Sequence, residues 1–278
     1  MPQFQERMAF HGRTAVITGA ASGIGAAAVE KFRAGGAKVI GVDRVPAAGP
    51  DLHIVGDLGT RAGVEDVAER IDQPIDILVN NAGVAATQPW RTVLGVNALA
   101  PRDLTRLLLP RFNPDPVVVT TASMAGFMWA QNYGLIRRFL ETENWEEALD
   151  LVKDHPDLDT SCYNLSKEIA IVNAGDLAVN GKHINLRSNS VSPGFVGTPL
   201  LGDFVTTMGA ENIDGTVAWA GRHATAEEVA DAICFLASPL ATWVNGVDLA
   251  VDGGLNAMVF RNYIAPAMAA MTAGGGAS

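Results

Sequence analysis

The sequence contains few of the features that mark secreted, metal-binding or membrane proteins. Only two of its 278 residues are cysteines, Cys162 and Cys234. Two cysteines offer neither a disulfide framework nor a metal-ligand cluster, so we expect no metal site and a reducing compartment, the cytoplasm. No run of eighteen apolar residues occurs, and the N-terminus lacks a continuous apolar segment. Both observations argue against a membrane span and a signal peptide.

Positive charge is also scarce. The chain has 20 Lys and Arg residues against 30 Asp and Glu residues, which gives a formal net charge of -10 at pH 7. Such a charge repels nucleic acids and anionic membranes, so we expect neither as a partner. Any bound anion must be held by a local site. The length and the 48% hydrophobic content suffice for one large domain with a sizeable core.

Short apolar segments rich in valine and isoleucine alternate with amphipathic segments. The predicted strands span residues 14–18, 38–42, 75–79, 117–121, 184–191 and 247–254. The predicted helices span residues 24–34, 62–71, 92–109, 162–179 and 226–237. The last of these helices opens with Thr225 and Glu228 in capping-box spacing. Uniformly apolar strands separated by helices predict a single α/β domain built on a doubly wound parallel sheet.

A glycine-rich segment, TGAASGIG at 18–25, follows the first strand and opens the first long helix. Gly19, Gly23 and Gly25 allow a sharp turn and close approach to a pyrophosphate, which the helix N-terminal amides would bind. Asp43 ends the second strand, where a carboxylate accepts hydrogen bonds from ribose hydroxyls and repels a 2′-phosphate. This favours NAD over NADP, although Arg44 could compensate a phosphate.

The segment TSCYNLSKEIA, residues 160–170, places Tyr163 four residues before Lys167. On a helix this spacing stacks both side chains on one face, close enough for an ammonium group to act on a phenol. A tyrosine and a lysine at this spacing are usually a packing residue beside a solvated charge. Whether Tyr163 and Lys167 form a functional pair therefore depends on the rest of the sequence.

Taken together, these segments resemble the short-chain dehydrogenase/reductase family, from about residue 12 to residue 256. The family's motifs occur in order: TGxxxGxG, NNAG at 80–83, Asn97 in GVNALAP, Ser123 in ASMAG, YxxxK, and PGFVGT at 193–198. The resemblance implies a Rossmann-type fold of about seven strands. It also implies an NAD(P)-dependent alcohol dehydrogenase or ketone reductase.

The resemblance further implies roles for individual residues. Tyr163 would be the general acid/base, with its pKa lowered by Lys167 and by the positive nicotinamide of the oxidised cofactor. Lys167 would also hold the nicotinamide ribose. Ser123 would orient the substrate oxygen, and Asn97 would seat a water molecule leading to Lys167. Asp57 would contact adenine, and Thr198 the nicotinamide carboxamide. The cofactor contacts implied are Gly19, Ser22, Gly23, Ile24, Gly25, Asp43, Asp57, Leu58, Asn81, Ala82, Gly83, Tyr163, Lys167, Pro193, Gly194, Val196 and Thr198.

Ser123 and Tyr163 lie much further apart here than in most family members, and the extra segment spans residues 127–160. Asn144 and Glu147 have capping-box spacing and begin a predicted amphipathic helix that Pro156 closes. Its apolar stripe consists of Trp145, Ala148, Leu149 and Val152. The insert could pack on its own domain, line the substrate cleft or form a subunit contact. We expect a homo-oligomer, a dimer or tetramer, whose contact uses a stripe half exposed in the monomer.

The segment 195–225 is predicted to form a substrate lid. Its apolar residues are Phe195, Val196, Leu200, Leu201, Phe204, Val205 and Met208. They are suited to closing over a hydrophobic ring system. The insert and the segment VDGGLNAMV also resemble the bacterial hydroxysteroid dehydrogenase/carbonyl reductase group of the family. We therefore expect a small, apolar, cyclic secondary alcohol or ketone as substrate, such as a hydroxysteroid.

Other functions remain open. One is reduction of 3-oxoacyl thioesters, which would require a basic docking patch for an acidic carrier or cofactor. Another is a dinucleotide-sensing binding protein without turnover, which the complete Asn97, Ser123, Tyr163 and Lys167 set disfavours. An extended nucleotide-sugar epimerase is disfavoured by the glycine spacing and by the lack of a sizeable second domain. The glycine-rich tail, residues 272–278, is expected to be mobile.

Overall fold

A seven-stranded, wholly parallel sheet organises the chain, in the spatial order β3-β2-β1-β4-β5-β6-β7. The computed structural model describes residues 4–266, so the tail at 272–278 lies outside the described residues. The strands are β1 (Thr14–Thr18), β2 (Lys38–Asp43), β3 (Leu52–Val55), β4 (Ile75–Asn80), β5 (Phe112–Thr121), β6 (Arg187–Pro193) and β7 (Asp248–Val251). The strand order reverses between β1 and β4, which opens a crevice at their carboxyl ends.

Helices cover both faces of this sheet. They are α1 (Phe4–Arg7), α2 (Gly23–Ala34), α3 (Arg61–Arg70), α4 (Trp90–Leu94), α5 (Ala100–Leu108), α6 (Tyr133–Glu141), α7 (Trp145–Val152), α8 (Leu158–Asn180), α9 (Leu201–Met208), α10 (Ala210–Ala220), α11 (Ala226–Ala237) and α12 (Leu255–Val259). π-Helical turns follow α4 at Gly95–Leu99 and α12 at Phe260–Ile264. None of the helices formed by residues 4–266 is long and apolar enough to cross a lipid bilayer.

The fold prediction is confirmed, with local differences. β1 coincides with its predicted bounds, and α11 begins with the predicted capping box between Thr225 and Glu228. The residue pattern did not locate β3, a short edge strand in which only Ile54 is buried. The predicted helix at 92–109 is divided by the π-turn into α4 and α5.

The core consists of one large apolar cluster on each face of the sheet. On one face, α2 and α11 pack together over β1 and the strands beside it. On the other face, α3, α4, α5 and α8 cover the sheet, and the insert adds its own side chains to that cluster. The sheet is thus enclosed, as its uniformly apolar strands predict.

The insert is part of the core rather than a half-exposed appendage. Trp145, Leu149 and Val152 of α7 are 7%, 4% and 1% exposed, and Ala148 between them is fully buried. The prediction that this stripe is half exposed in a monomer is therefore wrong, and the stripe is not available for a subunit contact. The homo-oligomer itself stays a prediction. Asn144 caps α7 as predicted, accepting a hydrogen bond from the Glu147 amide.

Polar contacts fix the insert to the helices below it. Arg102 of α5, 1% exposed, donates hydrogen bonds to the Thr142 hydroxyl at 2.8 Å and to the Phe139 carbonyl at 3.1 Å. The Trp145 indole N–H donates to the Asp103 carboxylate at 2.7 Å. A second helix of the insert, α6, was not predicted from the sequence.

The lid folds as two short helices, α9 and α10, over the carboxyl end of the sheet. Its two ends meet where Val196 and Ala224 form an isolated parallel bridge. α9 buries none of its residues, and α10 buries only Ile213. The lid therefore lies on the core with little of its own apolar surface buried.

Candidate active site

The glycine turn after β1 is held by close packing that excludes larger side chains. Gly19 has φ +69°, and a Cβ there would lie 2.9 Å from the Ala82 Cα. A Cβ on Gly25 would lie 2.0 Å from the Gly19 carbonyl oxygen and 2.6 Å from the Asn81 Nδ2. Glycine at 25 therefore brings α2 against the turn. Gly25 itself does not line the cleft, so its part in any binding is to shape this turn.

The N-terminus of α2 differs from those of three other helices. At those helices, an N-cap side chain accepts a hydrogen bond from its own first turn; the caps are Thr60, Asn144 and Thr225. Ser22 makes no such side-chain hydrogen bond. Because the first amides of a helix have no partner within it, those of α2 remain able to donate to an anion in the cleft.

The NNAG loop after β4 is positioned by threonines that the sequence analysis did not single out. The Thr18 hydroxyl accepts hydrogen bonds from the amides of Asn81 at 2.9 Å and Ala82 at 3.0 Å. The Thr121 hydroxyl donates to the Asn81 Oδ1 at 3.1 Å. Both threonines end apolar strands, at TAVIT and VVVTT, and a polar residue closing a buried strand is the signal that could have identified them.

The carboxylate of Asp43 lies where β2 opens onto the cleft. One oxygen accepts a hydrogen bond from the Ala21 amide at 3.0 Å, and the other accepts one from the Val45 amide at 3.2 Å. A carboxylate has about four acceptor sites, so about two remain for a ligand. Arg44 lines the same part of the cleft.

Tyr163 and Lys167 lie on one face of α8, beside Ser123 at the end of β5. Lys167 is 5% exposed. Its Nζ donates a hydrogen bond to the Thr121 carbonyl at 3.0 Å and lies 5.6 Å from the centroid of the Tyr163 ring. The ring of Phe204, from the lid, meets the Tyr163 ring edge to face, with 5.2 Å between centroids. All four side chains line the cleft.

Burial controls the protonation of this pair. It raises the pKa of Tyr163 to about 12, and the nearby Ser123 hydroxyl opposes that rise. It lowers the pKa of Lys167 to about 8. Desolvation disfavours the charged form of each group. In this structure desolvation raises the pKa of the phenol, so the lowering expected from Lys167 together with the charge of the oxidised cofactor stays a prediction for the cofactor-bound enzyme.

Asn97 lies behind the cleft, in the π-turn between α4 and α5. It is 2% exposed, and its amide donates to the Val84 carbonyl at 2.9 Å and the Ser166 hydroxyl at 3.1 Å. Its Oδ1 accepts from the Val84 amide at 2.9 Å. A Cβ on Gly83 would lie 3.4 Å from that Oδ1 and 3.7 Å from the Lys167 Nζ, so only a glycine separates the two groups.

One cleft of about 410 Å³ brings together nearly all the residues selected from the sequence. It is lined by Gly19, Ser22, Gly23, Ile24, Asp43, Asp57, Leu58, Asn81, Ala82, Gly83, Ser123, Tyr163, Lys167, Pro193, Gly194, Val196 and Thr198. Asn97 and Gly25 do not line it. The volume is in the usual range for small-molecule and cofactor sites.

Comparison with protein families adds an independent view. A family model described as short chain dehydrogenase matches residues 13–134, and one described as Enoyl-(Acyl carrier protein) reductase matches residues 156–256. Residues 135–155, which lie within the insert, fall between the two matched ranges. Most of the insert therefore lies outside the residues that the two family models match.

Known proteins are similar over most of the chain. Coniferyl-alcohol dehydrogenase of Pseudomonas sp. (strain HR199 / DSM 7063) is 34% identical over 86% of this chain and 95% of its own. 3-alpha-Hydroxysteroid dehydrogenase/carbonyl reductase of Comamonas testosteroni is 29% identical, over 88% and 96%. The crystal structure of the 3-alpha-hydroxysteroid dehydrogenase from Pseudomonas sp. B-0831 complexed with NADH is 32% identical, with a TM-score of 0.77 over 90% and 99%. This chain belongs to the short-chain dehydrogenase/reductase family.

Proposed function

We propose that the chain is an NAD(H)-dependent oxidoreductase that interconverts a secondary alcohol and a ketone on an apolar, cyclic substrate such as a hydroxysteroid. The observation that carries this proposal is the meeting of Ser123, Tyr163 and Lys167 in the cleft that also contains the glycine turn. A proton-transferring phenol and a dinucleotide site in one cleft are what such a reaction needs. The similarity to enzymes named for alcohol and hydroxysteroid oxidation supports the same class.

The residues present fit a nicotinamide dinucleotide. Gly19 and Gly25 leave no room for side chains at the turn, and no side chain caps the first amides of α2. These amides would bind the pyrophosphate, Asp43 the adenosine ribose and Asp57 the adenine. Pro193, Gly194, Val196 and Thr198 would line the nicotinamide end. When bound, NAD supplies or accepts the hydride.

In this proposal the chain's own residues handle the proton. With a pKa of about 12, Tyr163 holds its proton at neutral pH and can donate it from the phenol oxygen to a substrate carbonyl. Ser123 would orient that carbonyl. Lys167 donates one hydrogen bond to the Thr121 carbonyl, which leaves two N–H groups for the nicotinamide ribose and for a water molecule near Asn97.

The test of the reaction is Tyr163→Phe, assayed by nicotinamide absorbance over a panel of ketones and secondary alcohols. This change removes the transferable proton and keeps the ring, so the rate should fall by roughly 10²- to 10⁴-fold. Tyr133→Phe, on an exposed tyrosine of the insert, should leave it unchanged. A wild-type rate in Tyr163→Phe would refute the role of Tyr163. Cofactor binding without turnover on any compound would favour a dinucleotide sensor.

The preference for NAD is tested separately. Asp43→Ala removes a ribose acceptor and a charge that repels a 2′-phosphate, so the ratio of kcat/KM for NAD to that for NADP should fall. Asp72→Ala, at an exposed position outside the cleft, is the matched control. A wild-type enzyme that already prefers NADP would refute this role of Asp43.

A further inference from the structure

The lid contributes one carboxylate, Asp203, to the cleft that also contains Tyr163. The first turn of α9 presents two neighbouring residues to the cleft, Asp203 and Phe204. Phe204 packs on the Tyr163 ring and, at 6.4 Å between centroids, on the Phe195 ring. The turn that carries Asp203 is therefore anchored over the place where the proposed chemistry occurs.

Only one of the two carboxylate oxygens of Asp203 accepts a hydrogen bond from the described residues. The Thr87 hydroxyl donates to its Oδ1 at 2.9 Å, across the mouth of the cleft. Within residues 4–266, the Oδ2 accepts no hydrogen bond, and no lysine, arginine or histidine pairs with the carboxylate. The side chain is half-buried. A carboxylate oxygen that loses its hydrogen-bonded water without gaining another donor is destabilised. A bound substrate must therefore either donate a hydrogen bond to the Oδ2 or leave it in contact with water.

The other charged groups that line the cleft do not offset this charge. Asp43, Arg44 and Asp57 belong to the end formed by the glycine turn and β2, and Lys167 is held by the Thr121 carbonyl. Among the described residues, the lid contributes no other charged side chain to the cleft; its remaining lining residues are Val196, Thr198, Pro199, Leu200 and Phe204. Asp203 is thus the one charged side chain that the lid, as far as the structure describes it, presents to the cleft.

We propose that Asp203 is a specificity-determining residue: it favours uncharged ring substrates that carry a hydroxyl group remote from the reacting carbon, and it rejects substrates that carry a carboxylate there. This inference rests on the proposed function. A hydroxyl can donate to the open Oδ2 in a charge-assisted hydrogen bond. A second carboxylate bound next to the first is repelled by it, because salt screens two like charges only partly when they lie within a Debye length of each other.

A purely mechanical role for Asp203 makes a different prediction. If the Thr87–Asp203 hydrogen bond only holds the lid closed, then any change that breaks it should affect all substrates alike. Asp203→Asn removes the charge and keeps an oxygen that accepts from Thr87. Thr87→Val removes the hydrogen bond and keeps the charge. The two variants therefore separate selection by charge from closure of the lid.

The experiment measures kcat/KM with NADH for three ketones that differ at one position: the para-methyl, para-hydroxy and para-carboxylate acetophenones. Wild-type enzyme should reduce the hydroxy compound best and discriminate against the carboxylate by about tenfold or more. Asp203→Asn should reduce that discrimination roughly tenfold. Thr87→Val should leave the ratio within about twofold, even if it slows all three reactions.

Unchanged discrimination in Asp203→Asn, or an equal loss in Thr87→Val, would overturn the assignment. If wild-type enzyme binds NADH but reduces none of the three, the proposed reaction fails for this substrate class. The specificity is then read from calorimetric dissociation constants in complexes of Tyr163→Phe with NADH, with and without Asp203→Asn. The same ratios are expected there. Failure of all three ketones to bind would overturn the inference too.

Discussion

The insert at 127–160 and the lid at 195–225 both carry apolar side chains on short helices, and the fold places them in opposite environments. α7 of the insert buries Trp145, Ala148, Leu149 and Val152 in the main core. α9 of the lid buries none of its residues, and Val205 and Met208 are 40% and 46% exposed. An apolar stripe therefore predicts a helix and its orientation, but it does not predict what covers the stripe.

The insert and the lid differ in burial because different polar contacts join them to the rest of the domain. The insert meets α5, where Arg102 and Asp103 are nearly enclosed and bond directly to its backbone and side chains. The lid is tied across the cleft by the exposed Thr87–Asp203 hydrogen bond and by ring contacts of Phe204. Local stability follows buried contacts, so the lid should open at much lower free energy than the insert.

The largest expected effect is on stability in the insert. Trp145→Ala removes a 7% exposed ring and its hydrogen bond to Asp103, and it should lower the free energy of unfolding by about 3–5 kcal/mol. Trp219→Ala makes the same change at a 50% exposed position of the lid, where a loss below about 1 kcal/mol is expected. Urea unfolding measures both. Equal losses would mean that the two regions are equally integrated.

A smaller effect is expected on catalysis in the lid. Phe204→Ala removes a ring contact with Tyr163 that contributes about 0.5–1.5 kcal/mol, so kcat/KM should fall by up to about tenfold. Unfolding should change little, since the side chain is only half-buried. Steady-state kinetics on a substrate from the ketone panel provide the measurement. The neighbouring, more exposed Val205→Ala is the control, and the comparison fails if it costs as much activity.

The smallest effect concerns pH and the C-terminal end of the lid. Arg222 binds both carboxylate oxygens of Glu228 at 2.7 and 2.6 Å, and this holds the pKa of Glu228 at about 2. A lowered carboxyl pKa stabilises the fold above the ordinary value, near 4.5, and the contribution is lost as pH falls towards 2.

Scanning calorimetry checks this prediction. Wild type should melt slightly above Glu228→Gln at pH 7, and the gap should close as the pH falls from about 4.5 towards 2. Glu65→Gln, in an exposed ion pair within α3, controls for general loss of charge. A gap that stays constant over this range would assign the contribution of Glu228 to its neutral hydrogen bonds.

Most of the sheet and of the site could be predicted from sequence because both depend on local patterns. The positions of β1 and α11 follow from apolar periodicity and from helix capping. The cleft is lined by motifs that come directly after strands in the sequence. β3 was missed because three of its four residues are not buried. The desolvation that raises the pKa of Tyr163 in this structure could not be predicted, because burial of the phenol depends on the lid and on β5, which are distant in sequence.

The burial of the insert's apolar stripe could not be predicted for a similar reason. In the sequence, Arg102 resembles a surface charge on an amphipathic helix, yet it is 1% exposed and lies beneath the insert. No local pattern marks an arginine that is covered by a segment about forty residues away in the chain.

The cover that the insert provides also has an evolutionary consequence. The acceptors that it offers Arg102, at Phe139 and Thr142, lie between the ranges matched by the family models. A deletion of that segment would let water solvate Arg102, which would keep its ion pair with Asp103. The same deletion would expose the apolar surface beneath the insert, which favours aggregation. Loss of the insert in a descendant would therefore be accompanied by polar substitutions on that surface.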